Sequence, residues 1–229
     1  MEPFTRPRIK ICCISSIEEA QLAIRYGASA LGLVSAMPSG PGVVAEQQIT
    51  EIADIIPPGI ASFLLTSSQD VAIIIEQQRR CHVNTLQLVD TLPEGSHRRL
   101  RAALPGVALV QVIHVRGLES LEEARAVAPS VNAILLDSGN PHLAVKELGG
   151  TGRVHDWAVS QKIREALDIP IYLAGGLNAE NVRNAIHQVG PFGLDLCSSV
   201  RTNGHLDEEK LAHFFERVNA PIDNLLQDH

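Results

Sequence analysis

Leu173-Ala174-Gly175-Gly176-Leu177-Asn178 and, one unit further on, Asp195-Leu196-Cys197-Ser198-Ser199-Val200 each carry a short apolar run through small residues into a polar, helix-starting stretch. A tight turn of this kind is ordinary punctuation by itself. Two of them at the ends of successive strand-like runs describe a repeated strand-to-helix unit, and the pattern extends through the whole chain. Apolar, β-branched or leucine-rich runs at 9–14, 30–34, 61–66, 85–89, 109–115, 133–137, 169–174 and 193–197 read as strands. Stretches of helical period follow them at 17–26, 45–56, 69–81, 94–103, 118–128, 157–166, 179–188 and 207–218. Strict alternation implies parallel pairing with right-handed crossovers, and eight units favour a closed barrel over an open sheet. The expected fold is α/β, a single (β/α)8 barrel over residues 1–229.

That frame gives the two small-residue turns a meaning. Unpaired N–H groups at a helix start carry partial positive charge, and residues without bulk let an oxyanion approach them. In eight-stranded barrels a phosphate site is often built from the loops after strands seven and eight, where these turns fall. Pro57-Pro58-Gly59 and Pro105-Gly106 mark returns from helix to strand on the opposite face, where stability rather than chemistry is expected. Asp156 before Trp157 and Asn178 before Ala179 read as helix N-caps. The longest segment without period runs over 138–156 and contains Gly149-Gly150-Thr151-Gly152, which reads as a functional loop or lid.

Composition narrows the classes of function. A net charge of -7 and few aromatics, with no basic block, argue against a nucleic-acid partner. The start, Met1-Glu2-Pro3-Phe4-Thr5-Arg6-Pro7-Arg8, lacks an apolar signal core, and no apolar stretch approaches the roughly 18 residues of a membrane span. The four cysteines, Cys12, Cys13, Cys81 and Cys197, form no disulfide framework. A cytoplasmic protein without a membrane partner is expected. Nine scattered histidines, with no pair at i, i+4, give no metal motif, and His114 reads as a partly buried structural histidine.

Two reactive side chains fall at expected strand C-termini, the rim where barrel enzymes keep their chemistry: Cys12 in the first strand and Asp137 in the sixth. Strand alternation places Lys10 and Cys12 on one face and Cys13 on the other, so Cys12 is the thiol expected to point inward. A thiol becomes a base once ionised, and Lys10 is a cation able to help. A thiol base and a carboxylic acid beside a phosphate site suggest proton transfers on a sugar phosphate.

The chain resembles the phosphoribosylanthranilate isomerase family. The resemblance rests on Lys10-Ile11-Cys12 with Ile14-Ser15, Gly27-Ala28-Ser29-Ala30-Leu31-Gly32, Leu135-Leu136-Asp137-Ser138, Gly149-Gly150-Thr151-Gly152 with Asp156-Trp157, and 173–182. It implies an Amadori rearrangement of N-(5-phosphoribosyl)anthranilate in tryptophan biosynthesis, without metal or organic cofactor. Asp137 would protonate the ribose ring oxygen and Cys12 would take the proton from C2. Gly175, Gly176, Ser198 and Ser199 would hold the phosphate of a small phosphorylated sugar substrate. Five positions depart from the family pattern: Pro41 stands about where an arginine meets the anthranilate carboxylate, Val89-Asp90 replaces His-Gly after the fourth strand, and Cys13 and Ser199 replace glycines. Arg201 is the substrate-binding cation assigned in place of the missing arginine, with Arg116 as a second candidate and Arg153 a third. Two alternatives stay open: an isomerase for another phosphorylated ribosyl amine or sugar phosphate, and a barrel that binds a phosphometabolite without catalysis. The oligomeric state is left open.

Overall fold

Eight parallel strands close on one another in chain order in the computed structural model, which describes residue 3 and residues 6–139 and 154–220. They are β1 (Arg8–Ile11), β2 (Ala30–Val34), β3 (Ala61–Thr66), β4 (Thr85–Leu88), β5 (Ala108–His114), β6 (Ala133–Asp137), β7 (Ile171–Leu173) and β8 (Gly193–Leu196). The ring is closed by β1 pairing with β8 in the register Lys10↔Asp195 and Ile11↔Leu196. Each strand is followed by a helix: α1 (Ile17–Arg25), α2 (Glu46–Asp54), α3 (Val71–Cys81), α4 (Ser96–Ala103), α5 (Glu119–Val127), α6 (Trp157–Ala166), α7 (Val182–Val189) and α8 (Glu208–Asn219).

The period of two along each strand divides the apolar residues into two concentric cores. Phe63 and Leu65, Val110 and Val112, Ala133 and Leu135 point inward with Ala30, Val34 and Tyr172 and fill the barrel. Their neighbours Leu64, Leu109, Ile113, Ile134 and Leu136 face outward under the helices. Strands covered on both faces read as unbroken apolar runs, which is why Ala30–Val34 is buried at every position.

Helix boundaries follow local chemistry. Asp156 caps α6 by accepting from the Ala158 N–H at 2.9 Å, as its position implies. Asn178 also caps, accepting from the N–H groups of Glu180 and Asn181, but it closes a separate turn and the helix proper begins at Val182. After β8 the chain adds a 3-10 turn, Ser198–Val200, and a two-stranded hairpin, β9 (Arg201–Thr202) and β10 (His205–Leu206). Asn203 and Gly204 form its turn with φ of 52° and 84°, the positive values that two-residue hairpins favour. Among the described residues no helix is long and apolar enough to cross a membrane.

Candidate active site

At the C-terminal mouth of the barrel one cavity is lined by Cys12, Cys13, Asp137, Gly175, Gly176, Ser198 and Ser199, together with Pro41, Gln87, Asp195 and Cys197. Six of the seven sequence-derived site residues therefore meet in one place. Asp137 ends β6, is buried, and accepts from the Ser138 N–H at 2.7 Å through Oδ1. Cys12 directly follows β1, three strands away around the ring.

Beneath Cys12 lies a buried ion pair fixed by strand register. Lys10 and Asp195 are lateral partners across β1 and β8, and Lys10 Nζ reaches Asp195 Oδ1 at 2.7 Å with the lysine side chain fully buried. Burial works to discharge the ammonium, but Asp195 and Cys12 outweigh it and hold the Lys10 pKa above its usual range. The same pocket admits nothing larger than glycine on β2. A Cβ at Gly32 would stand 2.8 Å from Cys12 Sγ and 2.9 Å from Lys10 Nζ.

Cys13 departs from the expectation that only one of the adjacent thiols points inward. Its φ is +64°, the left-handed region, so the chain leaves the strand geometry at this residue and alternation no longer applies. Both thiols line the cavity in consequence. The conformation also explains why glycine suits this position in the resembling family. Gly42, with φ of +78°, makes room for the side chain, since a Cβ there would lie 2.4 Å from Cys13 Cβ. A hydrogen bond from Cys13 lowers the Cys12 pKa, burial opposes it, and Lys10 assists it, with a net fall. The Cys13 thiol is held protonated by the same contact with Cys12 and by Cys197.

The two turns have the geometry of an anion cradle. Gly175 and Gly176 both take positive φ, 80° and 64°, which turns successive amides toward one side. Asn181 Nδ2 braces the turn by donating to the Gly176 carbonyl at 2.9 Å. Ser198 and Ser199 open the 3-10 turn after β8, and the Ser199 hydroxyl is buried with no hydrogen-bond partner. An orphaned buried hydroxyl in a cavity wall fits a ligand oxygen.

Arg201 stands apart from the other six. Its guanidinium does not line the cavity. It is buried and engaged by Glu19 at 2.9 Å, by the Gly204 carbonyl at 2.9 Å, and by the carbonyls of Cys13 and Cys12 at 2.6 and 3.2 Å. The hairpin that folds β10 back onto β9 presents this arginine inward to α1 rather than to the mouth, where it clamps the wall from behind. Arg116 is exposed and also outside the lining, and Arg153 lies outside the described residues. Among the described residues that line the cavity there is no arginine or lysine. Segment 138–156 falls mostly outside the described residues, so its reading as a lid stays with the sequence.

His114 is buried, with Nε2 at 3.1 Å from the Val89 carbonyl, and is not in the lining. Two residues of the site were not singled out from sequence. Asp195 was legible only as part of a turn, because its partner is 185 positions away. Gln87 lines the cavity with a buried Oε1 that has no partner, a signal that only the fold reveals.

A closed barrel carrying a thiol, a carboxyl and two small-residue turns at its C-terminal mouth has the arrangement of barrel enzymes that act on phosphorylated small molecules. The model of the N-(5'-phosphoribosyl)anthranilate isomerase family matches residues 9–217, and the chain belongs to that family. N-(5'-phosphoribosyl)anthranilate isomerase 2 of Methanosarcina mazei is 34% identical over 213 residues, covering 92% of this chain and 93% of its own. The isomerase of Trichormus variabilis is 34% identical over 215 residues, covering 93% of this chain and 99% of its own. Among solved structures, phosphoribosyl anthranilate isomerase from Thermotoga maritima superimposes with a TM-score of 0.80 at 26% identity, over 93% of this chain and 98% of that one.

Proposed function

We propose that this chain converts N-(5-phosphoribosyl)anthranilate to 1-(2-carboxyphenylamino)-1-deoxyribulose 5-phosphate, an aldose-ketose isomerisation of tryptophan biosynthesis, in the cytoplasm. The observation that carries the reading is the meeting of Cys12, Asp137 and both small-residue turns in one cavity of a chain that belongs to this family.

The phosphate sits in the cradle of Gly175, Gly176, Ser198 and Ser199 and fixes the ribose over the barrel axis. Asp137 donates a proton to the furanose ring oxygen, and the C1–O bond breaks as the amine nitrogen supplies its lone pair to form a protonated imine. Cys12, as thiolate, removes the proton from C2, and the electron pair moves to give the enolamine. Tautomerisation to the ketone completes the exchange. The thiolate is favoured by the Cys13 hydrogen bond and by Lys10, whose own charge is balanced by Asp195. General acid and base groups of this kind contribute about 10²–10⁴-fold each.

Expression in a tryptophan auxotroph lacking only this isomerase tests the reading. Growth without tryptophan is the expected result. Failure to grow from a soluble, expressed protein, with no turnover of phosphoribosylanthranilate by the purified enzyme, overturns it.

A further inference from the structure

The sulfurs of Cys13 and Cys197 lie 2.6 Å apart, although 184 positions separate them in sequence. A covalent S–S bond is about 2.05 Å long, so the two need approach by only about half an ångström. Both belong to the cavity wall, and both are free thiols. Their juxtaposition is built rather than incidental. Cys13 is turned inward by its left-handed backbone, Gly42 leaves the space it occupies, and the β1–β8 pairing that closes the barrel brings the two loops side by side. Cys197 is half-buried at the open mouth, where a small oxidant can reach it, whereas Cys81 is fully buried on α3.

We propose that Cys13 and Cys197 form a reversible dithiol–disulfide site that reacts with peroxides. The Cys197 thiolate attacks a peroxide oxygen, the O–O bond breaks, one water leaves, and Cys197 becomes a sulfenic acid. The Cys13 sulfur then attacks Cys197 Sγ, the S–O bond breaks, and the departing hydroxide leaves with the Cys13 proton as a second water. Two thiols lose two electrons to one peroxide, giving one disulfide and two waters. The bond ties the loop after β1 to the loop after β8, where Ser198 directly follows Cys197. It also removes the Cys13 S–H that donates to Cys12, so the oxidised protein keeps the base but loses a group that favours its ionised form. This effect on turnover rests on the isomerase reading; the cross-link itself does not.

Full-length protein is treated with hydrogen peroxide, its remaining thiols are blocked, and it is mapped by mass spectrometry, in the wild type and in Cys12→Ser, Cys13→Ser and Cys197→Ser. The expected result is a loss of two hydrogens reversed by dithiothreitol, with 13 linked to 197, retained in Cys12→Ser and absent in the other two. A Cys12–Cys13 or Cys12–Cys197 link overturns the proposal. So does oxidation of Cys12 to sulfinic acid while 13 and 197 remain free thiols. Activity is followed in parallel: loss on oxidation and recovery on reduction are expected. A mapped 13–197 link in a protein that never turns over phosphoribosylanthranilate leaves the dithiol site standing and counts against the isomerase reading alone.

Discussion

Nη2 of Arg201 donates to the backbone carbonyl of Cys13 at 2.6 Å, clamping the left-handed residue beside Cys12 to the hairpin after β8. Another of its partners, Glu19, is a hub. Glu19 accepts from the Ser15 N–H at 2.9 Å and the Leu206 N–H at 2.8 Å besides pairing with Arg201. Through these two side chains α1, the loop after β1 and the hairpin are locked together behind the cavity.

Arg201→Met leaves Glu19 buried without its counter-charge, and breaking such a pair from one side costs about 3–5 kcal/mol. Urea unfolding should show that loss, with the double variant Glu19→Met/Arg201→Met losing less than the sum of the single ones. Burial pushes the Glu19 pKa up, but its hydrogen bonds from Arg201, Leu206 and Ser15 prevail and the net shift is downward. A depressed carboxyl pKa adds stability that is present above the unfolded value, about 4.3, and lost as pH falls through the lower folded value. The wild type should therefore lose more stability than Glu19→Gln across that acid window. Equal slopes would detach Glu19 from the acid response.

Cys12→Ala and Asp137→Asn should each lower kcat by about 10²–10⁴-fold, the range for general base and acid groups. Affinity for a phosphorylated product analogue should stay within about two- to threefold, an energy difference below 1 kcal/mol. Calorimetric titration separates the two effects. Turnover near wild type in either variant would remove that residue from the chemistry.

Cys13→Gly keeps the positive φ and deletes the thiol that donates to Cys12. Without that donor the Cys12 pKa rises, so the acid limb of kcat/KM moves to higher pH. Activity lost near neutrality should return as the pH is raised. An unmoved limb would show that Lys10 alone sets the thiolate. Read from alternation, Cys13 was a bystander on the outer face; the left-handed turn makes it part of the site.

Much of the candidate site's placement was nevertheless legible in sequence, because the periodic elements carry it. Cys12 and Asp137 follow directly from strand ends, and β2, β3 and β6 run over the residues their apolar pattern indicates. What escaped depends on contacts between distant segments or on a single dihedral. Arg201 looks like a free cation in sequence because Glu19 is 182 positions away. The hairpin that aims it carries the signal Asn203-Gly204, but its strands are two residues each, too short for alternation to register.

The proposed phosphate cradle predicts two different failures. Gly176→Val puts a branched side chain at φ of 64°, a conformation such residues avoid, and fills the approach to the amides. Ser198→Asp keeps the backbone and places a carboxylate against the anion. Both should weaken binding of a phosphorylated product analogue, and the dephosphorylated analogue should bind the wild type poorly. A bound phosphate or sulfate located elsewhere on the rim in a crystal would refute the assignment.

Recognition of the anthranilate carboxylate is where this chain differs most from its family pattern. Pro41 lines the cavity and Arg201 is committed elsewhere, so the described wall offers neutral donors instead of a guanidinium. Gln87 is the best placed of these, with its side-chain amide in the wall and an Nε2 that can donate to a carboxylate oxygen. A neutral hydrogen bond is worth about 0.5–1.5 kcal/mol, so Gln87→Leu should raise KM roughly two- to tenfold with kcat little changed. A charged hydrogen bond is worth about 1.5–3 kcal/mol, so Pro41→Arg should lower KM for phosphoribosylanthranilate by roughly ten- to 150-fold where the arginine reaches the carboxylate. Arg116→Met should leave KM unchanged, because Arg116 lies outside the cavity lining. A sharp rise in KM for Arg116→Met, with no gain from Pro41→Arg, would mean that the loops close over the substrate and bring Arg116 to the carboxylate after all.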